Sequence, residues 1–120
     1  GYAYMGHALA RLARHGEAAQ ALRRAVTFDP ERSEYRGELV LVLIDLEQLP
    51  EALRHARELV RLAPDNAQAH DMLGYTLGCM DRPDEALVEF ERALKIAPAD
   101  PVIRQHWDLA RRLKAGEPVK

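Results

Sequence analysis

Between Ala67 and Met80 the apolar residues Met72, Leu73, Leu77 and Met80 recur at steps of three and four. That spacing places them on one side of a helix. Asn66 stands at its start as a capping residue. The pattern breaks at Asp81-Arg82-Pro83-Asp84, and Pro83 suits the first turn of a following helix. Ala86, Leu87, Phe90, Ala93 and Leu94 then mark that second helix, which Pro98 closes. The order of signals repeats upstream. Pro50 opens the second helix of the preceding segment, and in the first segment Gly16 is expected in the inter-helix turn.

The repetition has a fixed period. AVTFDP ends at Pro30, LVRLAP at Pro64 and ALKIAP at Pro98, each 34 residues after the last. The pairs Glu17-Ala18, Glu51-Ala52 and Glu85-Ala86 keep the step, as do Met5, Leu39 and Leu73. Gly6 and Gly74 lie two periods apart with Val40 between them. A fixed step of this length signals units that bury their faces against one another. After Pro98, Asp100-Pro101 starts one more helix, with Val102, Ile103, His106, Leu109, Ala110 and Leu113 as its expected apolar face. A repeat array needs such a cap over its last open face.

These residues resemble the tetratricopeptide repeat family. The resemblance is carried in the first unit by Tyr2, Met5, Gly6, Leu9, Ala18, Leu22, Ala25 and Pro30. In the third it rests on Leu73, Gly74, Leu77, Ala86, Phe90, Ala93 and Pro98. The middle unit departs, with Val40 for glycine, Ala56 for the large residue and Leu59 for the small one; the last two read as a size exchange that conserves volume. The resemblance implies an all-α, right-handed solenoid of antiparallel helix pairs with about seven helices. Units are expected at about 1–32, 33–66 and 67–100, a capping helix at 101–114, and a flexible tail at 115–120. Gly1 enters the first helix without a cap, so the chain is expected to be cut from a longer protein.

The resemblance also implies a groove lined by the first helix of each unit. By repeat phase it presents Tyr4, His7 and Arg11, then Glu34, Glu38, Leu41, Ile44 and Asp45, then Gln68, Asp71, Met72, Tyr75 and Cys79. Leu109 falls one period after Tyr75. Leu39 to Ile44 is apolar nearly all round. Leu41 and Ile44 are then either surplus apolar surface or packing against neighbouring first helices. As surface, they form with Met72, Tyr75 and Leu109 an apolar strip rimmed by Glu34, Glu38, Asp45 and Asp71. Such a strip suits a protein or peptide segment with apolar anchors and basic flanks. Family members that grip acidic C-terminal tails use lysine, asparagine and arginine, whereas the matching places hold Ala3, His7, Glu38, Gln68 and Met72.

Composition narrows the remaining choices. The net charge is −2, which gives no reason to expect a nucleic-acid partner. No apolar run approaches the roughly 20 residues of a membrane span, so no insertion is expected. The single cysteine, Cys79, is read as a buried or half-buried inert thiol. The five histidines show no ligand spacing, and no residue set suggests a nucleophile, metal or cofactor. The expected function is a non-enzymatic interaction module. The alternative is a structural or self-assembling part of a longer array in an envelope, secretion or exopolysaccharide apparatus. The Arg-rich, Ala-rich composition points to a bacterial source, with the compartment open between cytoplasm and periplasm.

Overall fold

The computed structural model describes residues 2–116, with side chains from residue 14 onward. Six helices follow one another: α1 (Tyr2–Phe28), α2 (Ser33–Asp45), α3 (Leu49–Leu62), α4 (Ala67–Cys79), α5 (Pro83–Ile96) and α6 (Pro101–Lys114). There is no strand among the described residues. Each helix packs on its successor, and α2, α4 and α6 also touch in series, so the first helices of the repeats form one layer.

The turns follow from local chemistry. After α2, Glu47 takes φ 59° and the Gln48 N–H donates to Leu43 O at 2.8 Å. After α4, Asp81 takes φ 59° and the Arg82 N–H donates to Leu77 O at 3.0 Å. Both are left-handed C-terminal closures, followed at once by a proline in the first turn of the next helix. Asn66 caps α4 by accepting from the Ala69 N–H at 3.1 Å. The Asp100 carboxylate accepts from the Val102 and Ile103 N–H groups at 2.9 and 3.2 Å, capping α6.

The first repeat departs from the expectation of seven helices. The turn expected at Gly16 is absent, and α1 runs unbroken through it. The reason lies in three positions. Where the later repeats place Glu47 and Asp81 in the left-handed region, the first has Ala13, the strongest helix former. Where they place Pro50 and Pro83, the first has Gly16 and His15, which keep their N–H groups. Gly16 alone costs a helix interior only about 1 kcal/mol.

The core lies between the two helix layers. Leu39, Val40, Leu43, Ala52, Ala56, Ala86 and Ala93 are fully enclosed. In α4–α5 the closest approach sets Gly74 against Phe90, where an added Cβ would stand 2.7 Å from the ring. The matching positions in α2–α3 are Val40 and Ala56, both buried. The size exchange of the middle repeat therefore includes Val40 opposite Ala56, as well as Leu59.

Buried polar latches recur with the same step. Arg36 on α2 donates to the Pro30 carbonyl at 2.9 Å and to His55 Nδ1 on α3 at 3.0 Å. One period on, His70 Nε2 on α4 donates to the Pro64 carbonyl at 2.7 Å, and its Nδ1 lies 2.9 Å from Glu89 on α5. Each latch ties a helix pair to the proline that closes the previous repeat.

His55 makes the first latch acid-sensitive. Burial, with Arg36 and then Arg54 nearby, pushes it below the ordinary value of 6.5, against a smaller opposing pull from Glu51. Its neutral ring can then accept from Arg36. Between the lowered value and 6.5 the unfolded chain binds a proton that the folded chain refuses, so stability falls as pH falls through that window. The Arg23 guanidinium, hydrogen-bonded at 2.7 and 2.8 Å, holds Glu51 below its ordinary 4.5, and that contribution is lost only at lower pH. The melting temperature is expected to drop between pH 7 and 5.5, and to drop less in His55→Gln, which keeps an acceptor for Arg36 but does not titrate. Equal slopes from calorimetry at several pH values would exclude His55 as the sensor.

In α6, Ile103 and Ala110 are buried, but Val102, Leu109 and Leu113 are exposed. The expected apolar face is therefore only half covered. On its other side, Arg104, Asp108 and Arg111 stand one period after His70, Gly74 and Leu77, which are buried under α5. Arg111 and Arg112 pair with Asp108 at 3.1 and 3.2 Å. Charge at those positions lets α6 face water where α4 needs a helix over it.

Candidate functional site

The layer formed by α2, α4 and α6 holds a groove of about 640 Å³. Its walls are Leu41, Ile44 and Asp45 from α2, Gln68, Asp71, Met72 and Tyr75 from α4, and His106 from α6. The 34-residue step brings these together because residues one period apart occupy matching faces of successive first helices. Tyr75 and His106 also border a smaller hollow of about 170 Å³ that contains Cys79, Leu109 and Leu113. On the opposite side, Gln68 and Met72 border a third hollow, of about 220 Å³, that contains Glu34. Glu38 is exposed on α2 and lines none of the three. Tyr4, His7 and Arg11 lie in α1, with side chains outside the described residues.

Leu41 is 52% exposed, whereas Ile44 and Met72 are half-buried against the core. Of the two readings of the apolar α2 helix, surplus surface fits Leu41 and packing fits Ile44. The acidic rim is also uneven. The Asp45 side chain is 64% exposed, with His15 Nε2 3.2 Å away. The Asp71 side chain is only 17% exposed and pairs with His106 Nδ1 at 2.8 Å. Asp71 therefore belongs to the groove wall rather than to a free rim.

His106 escaped the sequence reading as a groove residue. Its ring leans on Tyr75 and Phe90, with centroids 5.2 and 5.8 Å apart. The signal was present, since His106 falls one period after Met72. Cys79 is exposed rather than buried or half-buried. Desolvation by the atoms around it still raises its thiol, which disfavours the thiolate. Among the described residues, no group of three or more histidine, cysteine, aspartate or glutamate side chains is placed to hold a metal. Nor is any helix among them long and apolar enough to cross a membrane.

Comparison with known proteins agrees with this geometry. MamA from Desulfovibrio magneticus RS-1 superimposes with a TM-score of 0.78 at 22% identity, over 93% of this chain and 63% of that one. The first TPR domain of human RPAP3 gives 0.80 at 16% identity, over 94% and 89%. The first TPR of Spaghetti (RPAP3), bound to the HSP90 peptide SRMEEVD, gives 0.79 at 16% identity, over 93% and 89%. At these identities the likeness is one of fold. In sequence, 67 residues are 40% identical to the Protein O-mannosyl-transferase Tmtc2 of Drosophila melanogaster, which is 55% of this chain but 7% of that protein. The pattern of the tetratricopeptide repeat matches residues 2–108, nearly the whole described helical array, and on that match the chain belongs to the tetratricopeptide repeat family.

Proposed function

We propose that this chain is a non-enzymatic protein-interaction module whose concave groove captures a peptide segment with apolar anchors and basic flanks. The carrying observation is the pairing of an apolar floor with exposed carboxylates. Leu41, Met72 and Tyr75 offer the floor, and Glu34, Glu38 and Asp45 carry negative charge along α2. Among the described residues, the eight that line the main groove include no Lys or Arg, and His106 there already faces Asp71. The structural neighbour that holds SRMEEVD receives an acidic peptide. The charge pattern here disfavours such a ligand, because like charges brought together in an interface are costly.

The test uses two labelled peptides and fluorescence anisotropy. One is SRMEEVD, and the other carries two leucines and a phenylalanine between lysine-arginine flanks. The basic peptide is expected to bind, and more weakly as salt rises. SRMEEVD is expected not to bind. Leu41→Glu and Tyr75→Ala should each weaken the basic peptide about tenfold or more, as loss of a central anchor does, with helicity unchanged. Tighter binding of SRMEEVD, or full affinity in both variants, would sink the reading.

A further inference from the structure

The first repeat is folded unlike the other two although its sequence stays in step with them. On α3, Ala52, Ala56 and Leu59 are buried, and on α5 so are Ala86, Phe90 and Ala93. In each case the preceding helix turns back and packs over that face. The corresponding positions of α1, Ala18, Leu22 and Ala25, are only half-buried.

The sequence that matches the missing cover is in the chain. Met5, Gly6 and Leu9 stand two periods before Leu73, Gly74 and Leu77, which lie buried beneath α5. The central contact of that pair is Gly74 on Phe90, and its counterpart would be Gly6 on Leu22. On the unbroken α1 these two are sixteen positions apart, hence about 24 Å along the axis at 1.5 Å per residue. A chain with a straight α1 cannot bring them together.

We propose that a second copy supplies the cover. Two α1 helices lie antiparallel, with residues 2–13 of each against Ala18, Leu22 and Ala25 of the other. The two helices of a repeat already run antiparallel, so the exchange keeps their direction and register and changes only which chain each belongs to. Both contacts form together, which makes a closed two-fold dimer by exchange of an identical element. The hinge is the stretch Ala13 to Gly16, which is straight here because it lacks the proline of the later turns. A second copy is favoured over an unrelated partner because this chain carries the required residues at the required positions. This contact lies on α1, apart from the peptide groove.

The test combines mass with a crosslink. Light scattering on the full chain from 2 to 200 µM, about two decades, should show the mass rise to that of two chains. Gly6→Cys with Leu22→Cys, in a Cys79→Ser background and oxidised with copper phenanthroline, should give a species of twice the chain mass in a denaturing gel. A crosslink closed within one chain would overturn the proposal, since α1 would then fold back as the later repeats do. Monomer mass without a crosslink would overturn it too. Hinge variants serve if the cysteine variant folds poorly. Gly16→Pro introduces the proline found at Pro50 and should weaken the dimer about tenfold or more, while Gly16→Ala favours the straight helix and should tighten it. Equal dimer affinity in these two variants would refute the exchange.

Discussion

Replacing Gly74 with valine is expected to lower the stability of the array by about 3 kcal/mol, at the upper end of overpacking costs. A Cβ there would stand 2.7 Å from one ring carbon of Phe90 and 2.8 Å from the next. Phe90 is 2% exposed, and its ring can give way only toward the small hollow that it borders with Tyr75 and His106, the latter already leaning on it. Valine adds two further methyl groups to that approach. Relief from glycine's poor helix propensity offsets only roughly 0.3–0.5 kcal/mol of this, because a β-branched residue is itself a weak helix former. The repeat itself supplies the compensation. The second repeat solves the same crossing with Val40, Ala56 and Leu59, all buried. Gly74→Val with Phe90→Ala and Ala93→Leu transplants that solution and should recover at least half of the loss. Phe90→Ala alone should cost about 3–5 kcal/mol. Urea unfolding of the wild type, the three single variants and the triple variant measures this. If the triple variant is as unstable as the sum of its parts, the size exchange is not what holds the middle repeat.

What was legible in the sequence was local. The 34-residue step, the proline-marked turns and the Asn66 and Asp100 caps depend on neighbours within a few residues, so one chain states them directly. The groove followed from the same step, which fixes the phase of Leu41, Asp71 and Tyr75 on successive first helices. What could not be read depended on competition or on pairing across helices. Gly16 fits a turn and tolerates a helix; Ala13 and the absent proline decide the outcome, and their effect emerges only beside Glu47, Asp81, Pro50 and Pro83. The latches join residues 19 positions apart on different helices, so each histidine looked solitary. Their signal lay in the repeat step: Arg36 and His70 share one position, His55 and Glu89 another.

The second latch carries the other large effect. Glu89→Leu is expected to cost about 3 kcal/mol, the range seen when one member of a buried charged pair is removed. His70 and Glu89 side chains are 8% and 10% exposed. Because the Pro64 carbonyl can only accept, His70 Nε2 carries a proton, and its Nδ1 is hydrogen-bonded to Glu89 at 2.9 Å. Without Glu89, Nδ1 faces a leucine. Arg92, which donates to the other Glu89 oxygen at 2.8 Å, is largely exposed and turns to water at little cost. Removing both partners is different in kind. His70→Leu with Glu89→Leu takes away both hydrogen-bonding partners and leaves only the Pro64 carbonyl unmet, a loss of about 1–3 kcal/mol set against added apolar burial. The double variant should therefore be more stable than Glu89→Leu alone. Exchanging the latches gives a sharper form of the test. His70→Arg with Glu89→His installs the Arg36–His55 arrangement, but that arrangement leaves Arg36 Nε buried without a hydrogen-bond partner among the described residues. The exchanged protein should unfold at lower urea than the wild type and at higher urea than Glu89→Leu. If the exchange matches the wild type, the orphaned guanidinium nitrogen carries no penalty, and the two latches are equivalent ways of tying a helix pair to the proline behind it.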